Sequence, residues 1–110
     1  MMTEGYCMIL TTVGSRDEAE RISELLVLRR YAACVQISSI NSTYRWEGEI
    51  HKDAEYLLLI KTKIDLYNQV ESAILENHSY EVPEIIQIPV MQGFNGYLGW
   101  IDANTSETSS

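Results

Sequence analysis

Tyr56-Leu57-Leu58-Leu59-Ile60 is apolar at every position, and its reading decides the fold. A strand with one wet face alternates, so an unbroken apolar run of this length reads as a strand covered on both sides. Just upstream, Glu47-Gly48 has the form of a two-residue hairpin turn, with glycine supplying a positive φ. The return strand then runs from Glu49 to about Thr62, and its partner from Ala33 to Trp46. Counting outward from the turn pairs Trp46 with Glu49 and Tyr44 with His51. Val35 and Ile37 share one face, whereas Ile40, Tyr44 and Trp46 follow the opposite phase, which predicts a bulge or bend near Ser38-Ser39.

The flanking segments complete the pattern. Tyr6 to Thr12 reads as a buried strand, broken at Gly14. Ser15 with Glu18 three residues on forms a capping box. Ala19, Ile22, Leu25 and Leu26 then keep helical spacing up to Arg29-Arg30, whose charge suits a helix C-terminus. Thr62 is placed to cap a second helix with the buried stripe Leu66, Tyr67, Val70, Ala73 and Ile74. Glu84 to Val90 reads as a fourth strand, and Tyr97 to Ile101 as a short helix after a turn flanked by Gly93 and Gly96. Residues 1–102 then form one domain, followed by a polar tail, 103–110, expected to be disordered. The order strand-helix-strand-strand-helix-strand is that of an α+β, ferredoxin-like sandwich with an antiparallel sheet. Its central strands are the first and third, which are the two most apolar runs here.

Two features point to an oligomer. Two helices cover only one face of such a sheet, leaving the other side of the Tyr56–Ile60 run to be covered by something else. Each hairpin strand also spans roughly 45 Å at 3.3 Å per residue, so its far end needs support that an isolated ribbon lacks. A second copy docking there predicts that Leu58→Asp prevents assembly. The other reading of the ribbon is a hairpin curled back on its own domain.

Composition narrows the function classes. Among 110 residues, 16 acidic side chains against 8 basic ones give a net charge of −8, which attracts cations and disfavours nucleic acid or an anionic membrane. No apolar run is long enough to span a bilayer, and no signal-peptide plan precedes Met8-Ile9-Leu10, so a cytoplasmic protein with reduced thiols at Cys7 and Cys34 is expected. There is no Ser-His-Asp order, phosphate-cradling glycine loop or HExxH spacing, and the expectation is a protein that is not an enzyme. The chemistry-bearing stretch is His78-Ser79-Tyr80-Glu81-Val82-Pro83-Glu84, an imidazole, a phenol and two carboxylates at the mouth of a strand.

These residues resemble the CutA family, the divalent-cation tolerance proteins. The likeness rests on Ala32-Ala33-Cys34-Val35, Tyr44-x-Trp46-x-Gly48 and Ile60-Lys61-Thr62. It continues through His78-x-Tyr80-Glu81-Val82-Pro83-Glu84, Pro89-Val90, Gly93 and Tyr97-Leu98-x-Trp100. It covers about Met8 to Ile101 and implies a homotrimer whose sheets face the three-fold axis, a link to copper tolerance and copper binding, and a cleft between subunits near the His-x-Tyr-Glu loop. Where the family usually has proline after its histidine this chain has Ser79, which predicts a freer His78. Gln36 stands where asparagine is common.

The candidate metal ligands for copper are His78, Cys34 and Glu84, since imidazole suits Cu(II) and thiolate Cu(I). Each has a structural alternative: His78 as the cap of a helix end, Cys34 as a small buried hydrophobe, and the acids as loop caps or partners of Lys61. Lys61, Tyr80, Glu81, Trp46 and Trp100 are candidates for a small-ligand cleft, or for subunit contacts. Three functions follow: a copper-binding or metal-responsive homotrimer, a trimeric small-molecule sensor of the PII-like nitrogen-regulatory type with a metabolite in the Lys61/Tyr80/Glu81 cleft, and a structural or partner-binding trimer.

Overall fold

In the computed structural model, which describes residues 5–105, four strands form one antiparallel sheet in the order β2-β3-β1-β4. The strands are β1 (Tyr6–Val13), β2 (Cys34–Trp46), β3 (Glu49–Lys63) and β4 (Ile85–Pro89). The helices are α1 (Arg16–Leu28), α2 (Tyr67–Asn77) and α3 (Asn95–Ala103), with a 3₁₀ turn, Ile64–Leu66, leading into α2. The first and third strands are central, as a ferredoxin-like sheet requires.

Helices α1 and α2 cover one face. Cys7, Ile9 and Val13 of β1 and Leu58 and Ile60 of β3 meet Ala19, Ile22, Leu26, Val70, Ala73 and Ile74 in a closed core. Alternation places Met8, Leu10, Leu57, Leu59, Ile86 and Ile88 on the opposite face, where they are half-buried or exposed. Helix α3 lies toward one end of β3, with Ile101 buried and Lys63 paired to Asp102 at 3.2 Å.

The β2–β3 ladder runs from Cys34–Lys61 to Trp46–Glu49 without interruption, so there is no bulge near Ser38-Ser39: alternation puts Val35 and Ile37 on the helix-covered face and Ile40, Tyr44 and Trp46 on the other. Both turn residues, Glu47 at φ 51° and Gly48 at φ 83°, are left-handed, the type I′ form that matches strand twist. Ser15 caps α1 by accepting from the Glu18 amide at 3.1 Å. Thr62 does not cap α2. It lies in β3, fully buried, and its hydroxyl donates to the Tyr31 carbonyl at 2.6 Å, while the helix starts through the 3₁₀ turn. Arg29 and Arg30 stand just beyond α1, where the Tyr31 amide reaches back to the Leu26 carbonyl and Arg30 to Val27, closing the helix end with Arg30 at φ 63°. The tail is ordered through Thr105: its hydroxyl donates to the Ile101 carbonyl, and the Arg30 guanidinium reaches the Ala103 and Thr105 carbonyls. Residues 106–110 lie outside the described residues.

Candidate functional site

Alternation along β2 places Ser42, Tyr44 and Trp46 on the sheet face opposite α1 and α2, the same face as Glu55. Between them and the loop that joins α2 to β4 lies a cleft of about 670 Å³ lined by Thr12, Ser42, Thr43, Tyr44, Trp46, Glu55, Ser79, Tyr80, Glu81, Val82 and Glu84. Trp46, Tyr80, Glu81 and Glu84 of the sequence-derived candidates meet here.

The loop is set by a buried polar network. The His78 side chain is 1 % exposed, and its Nε2 lies 2.7 Å from the Thr12 carbonyl, which can only accept. Nε2 therefore carries the proton, and Nδ1 is left to accept the Tyr80 amide at 3.0 Å. Neither nitrogen presents a free lone pair, and the imidazole bonds to β1 instead of the α2 carbonyls. The Asn77 carbonyl there is taken by Arg21, and the Ala73 carbonyl by the Asn77 amide. Glu18, 6 % exposed, accepts both the Ser79 amide at 2.8 Å and the Ser79 hydroxyl at 3.0 Å. Serine in place of the expected proline thus ties the loop to α1 with two bonds, neither of which a proline has a donor to make.

Tyr80 donates to Glu55 at 2.6 Å, and Gly14 leaves room for the phenol: a Cβ there would sit 3.2 Å from the hydroxyl. Burial, and then the bond to Glu55 with that residue's charge, hold the Tyr80 hydroxyl well above the ordinary phenol range, so it stays a donor. Glu55 is 8 % exposed. Sequence reasoning missed Glu55, and it placed Glu18 in a capping box with Ser15, whereas the Glu18 carboxylate turns to Ser79. The signal for Glu55 lay in the alternation of β3, which aims it to the same face as Leu57 and Leu59. Tyr44 donates to Asp53 and stacks on His51 with centroids 5.6 Å apart.

The remaining candidates lie at the other end of the sheet. Lys61 is six residues along β3 from Glu55, roughly 20 Å. It sits opposite Cys34, with its Nζ 5.8 Å above the Tyr97 ring, which stacks on Trp100. Among the described residues no carboxylate forms an ion pair with Lys61. A cleft built from Lys61, Tyr80 and Glu81 is therefore not formed within one chain. Cys34, on the outer strand β2, and Glu84, beside β4 at the opposite edge, do not converge either. Among the described residues, no three His, Cys, Asp or Glu side chains are grouped as a metal centre needs. Among the described residues no helix is long and apolar enough to cross a membrane.

Known proteins resemble this chain in sequence and fold. The chain is 40 % identical over 99 residues to the divalent-cation tolerance protein CutA of Thermus thermophilus, covering 89 % of this chain and 96 % of that one. It is 36 % identical over 99 residues to the chloroplastic protein CutA of Arabidopsis thaliana, covering 89 % of this chain but only 54 % of that longer protein. The crystal structure of CutA1 from Oryza sativa superposes with a TM-score of 0.92 at 35 % identity, covering 98 % of this chain and all of that one. The family described as CutA1 divalent ion tolerance protein matches residues 7–104, and with these likenesses in sequence and fold the chain belongs to that family.

Proposed function

We propose that this chain is a non-enzymatic, cytoplasmic homotrimer that binds copper as part of a divalent-cation tolerance function. The observation that carries the reading is the apolar face of β1, β3 and β4 that α1 and α2 leave uncovered, in a chain whose relatives are named for divalent-cation tolerance. Met8, Leu10, Leu57, Leu59, Ile86 and Ile88 form a sheet surface of the kind a second copy covers. Among the described residues one chain does not gather a metal centre, so this reading completes the copper ligands between copies. Cys34 on the outer strand and Glu84 at the cleft are the donors this reading assigns, and His78 serves by fixing the loop.

Native mass measurement and a calorimetric Cu(II) titration of tag-free protein test it together. A trimer mass, with saturable copper binding weakened by Cys34→Ala or Glu84→Gln, is the expected result. A single-chain mass, or copper binding indifferent to both substitutions, overturns it. Lys61 lies opposite Cys34 at the far end of β3 from the cleft, so a small-molecule-sensor site using Lys61, Tyr80 and Glu81 likewise has to be completed between copies.

A further inference from the structure

We propose that copies of this chain meet head to tail, with Lys61 of one copy seated against the acidic end of the next copy's open sheet face, beside Glu55 and Glu81. This rests on the homotrimer proposed above, and adds how the copies are turned and which residue each lends its neighbour.

The order of charges along β3 carries it. Alternation puts the odd-numbered residues of β3 on the face that α1 and α2 leave uncovered. Along that face Asp53 and Glu55 come first, Leu57 and Leu59 next, and Lys61 and Lys63 last. Glu81 and Glu84 join the acidic end across the cleft. The residues of β1 and β2 on the same face bring no charge. One strand face is thus acidic, then apolar, then basic.

The two ends are not matched inside the chain. Lys63 is taken by Asp102 at 3.2 Å, whereas Lys61 has no carboxylate partner among the described residues, only the Tyr97 ring 5.8 Å from its amine. At the acidic end, no lysine, arginine or histidine lines the cleft among the described residues. Tyr80 donates to Glu55, a neutral bond that leaves the charge in place. Roughly 20 Å of β3 keeps Lys61 and Glu55 of one chain apart. A copy covering this face withdraws both ends from water, and unpaired charge there is costly.

Symmetry then sets the orientation. In a closed ring of three, one patch of each chain meets a different patch of the next. Strands running along the three-fold axis would crowd three Lys61 at one end and the acids at the other, like against like. Strands that cross those of the next copy place Lys61 on its Glu55 and Glu81, and leave Leu57 and Leu59 to the apolar centre between. Because Cys34 sits opposite Lys61, the same docking carries it toward the next copy's Glu84, two donors that one chain holds at opposite ends of the sheet.

The test joins native mass measurement to carbodiimide coupling, which links an amine to a touching carboxylate with loss of water. A trimer mass is expected, with Lys61 linked to Glu55, Glu81 or Glu84, and the span within one chain makes any such link one between copies. Lys61→Glu, with its fold checked by circular dichroism, is expected to weaken association at least about tenfold, while Lys61→Arg keeps it. A trimer mass with Lys61 joined to none of these acids, or with Lys61→Glu associating as tightly as the wild type, overturns the orientation and leaves the homotrimer standing. A single-chain mass for the wild type overturns the homotrimer and the orientation with it.

Discussion

Ser79 reverses an expectation drawn from its neighbours. A serine where proline is expected looks like a loosened loop, but here both its amide and its hydroxyl are held by Glu18, a carboxylate buried at the start of α1. That same Glu18 donates its amide to the Ser15 cap, so one residue starts a helix and anchors the loop after another. Ser79→Pro removes both donors and leaves the carboxylate, among the described residues, with His78 3.6 Å away. The expected cost is about 1–3 kcal/mol in urea unfolding, and it shrinks in a Glu18→Ala background because the two residues act as a unit. Costs that simply add would show the pair to be uncoupled. Cys7 gives a pH signature at the same scale. It is 1 % exposed, and burial, then the charge of Asp65, push its thiol from 9.0 up to about 11. The folded state keeps the proton longer than the unfolded state, so this contribution is complete below pH 9 and is lost as pH rises toward 11. The slope is about 1.4 kcal/mol per pH unit, and subtracting the unfolding curves of Cys7→Ala from those of the wild type across that window isolates it.

The hairpin shows what alternation and turn chemistry deliver and where they stop. Tyr44–His51 and Trp46–Glu49 pair as the count from Glu47-Gly48 requires, because a two-residue loop fixes register all the way down an unbroken ladder. The apparent change of phase at Ser38-Ser39 misled, because both faces of β2 carry apolar residues in turn and the unbroken ladder holds no inserted residue there. Thr62 illustrates a competing partner: its hydroxyl was free on paper to cap α2, but the fold brings the Tyr31 carbonyl, distant in sequence, within 2.6 Å. The site divides in the same way. The His78–Glu84 loop and Trp46 were found because they are local clusters, whereas Glu55 and Glu18 matter only through residues 25 and 61 positions away. The turn supplies a prediction of its own. Glu47 occupies a left-handed conformation that asparagine tolerates better, so Glu47→Asn raises stability by about 0.5 kcal/mol, while Gly48→Ala lowers it by about 1 kcal/mol. Thermal unfolding of the two variants checks the signs, and a destabilised Glu47→Asn would mean that the glutamate side chain compensates its backbone.

At the scale of the molecule, one strand presents two apolar faces with different tasks. Leu58 and Ile60 point into the helices and are fully buried, while Leu57 and Leu59, their immediate neighbours, lie on the open face with Leu10 and Ile86. The run Tyr56–Ile60 signals burial on both sides without saying which residue serves which side, and Leu58, chosen from sequence as the assembly position, proves to belong to the subunit core. The two substitutions therefore separate folding from assembly. Leu58→Asp places a carboxylate among Ile9, Ile22 and Ile74 with no partner, and costs more than the few kcal/mol by which a domain of this size is stable. Its expected outcome is loss of native circular dichroism. Leu59→Asp places the same charge on a surface that solvent reaches in the single chain, so the subunit keeps its fold and the effect falls on any contact made by that face. The expected result is a native spectrum with the mass of one chain, and sedimentation of the two variants beside the wild type reads both properties at once. If Leu59→Asp keeps the wild-type mass, the open face is not where copies meet, and the half-buried leucines of β1 and β3 need another cover.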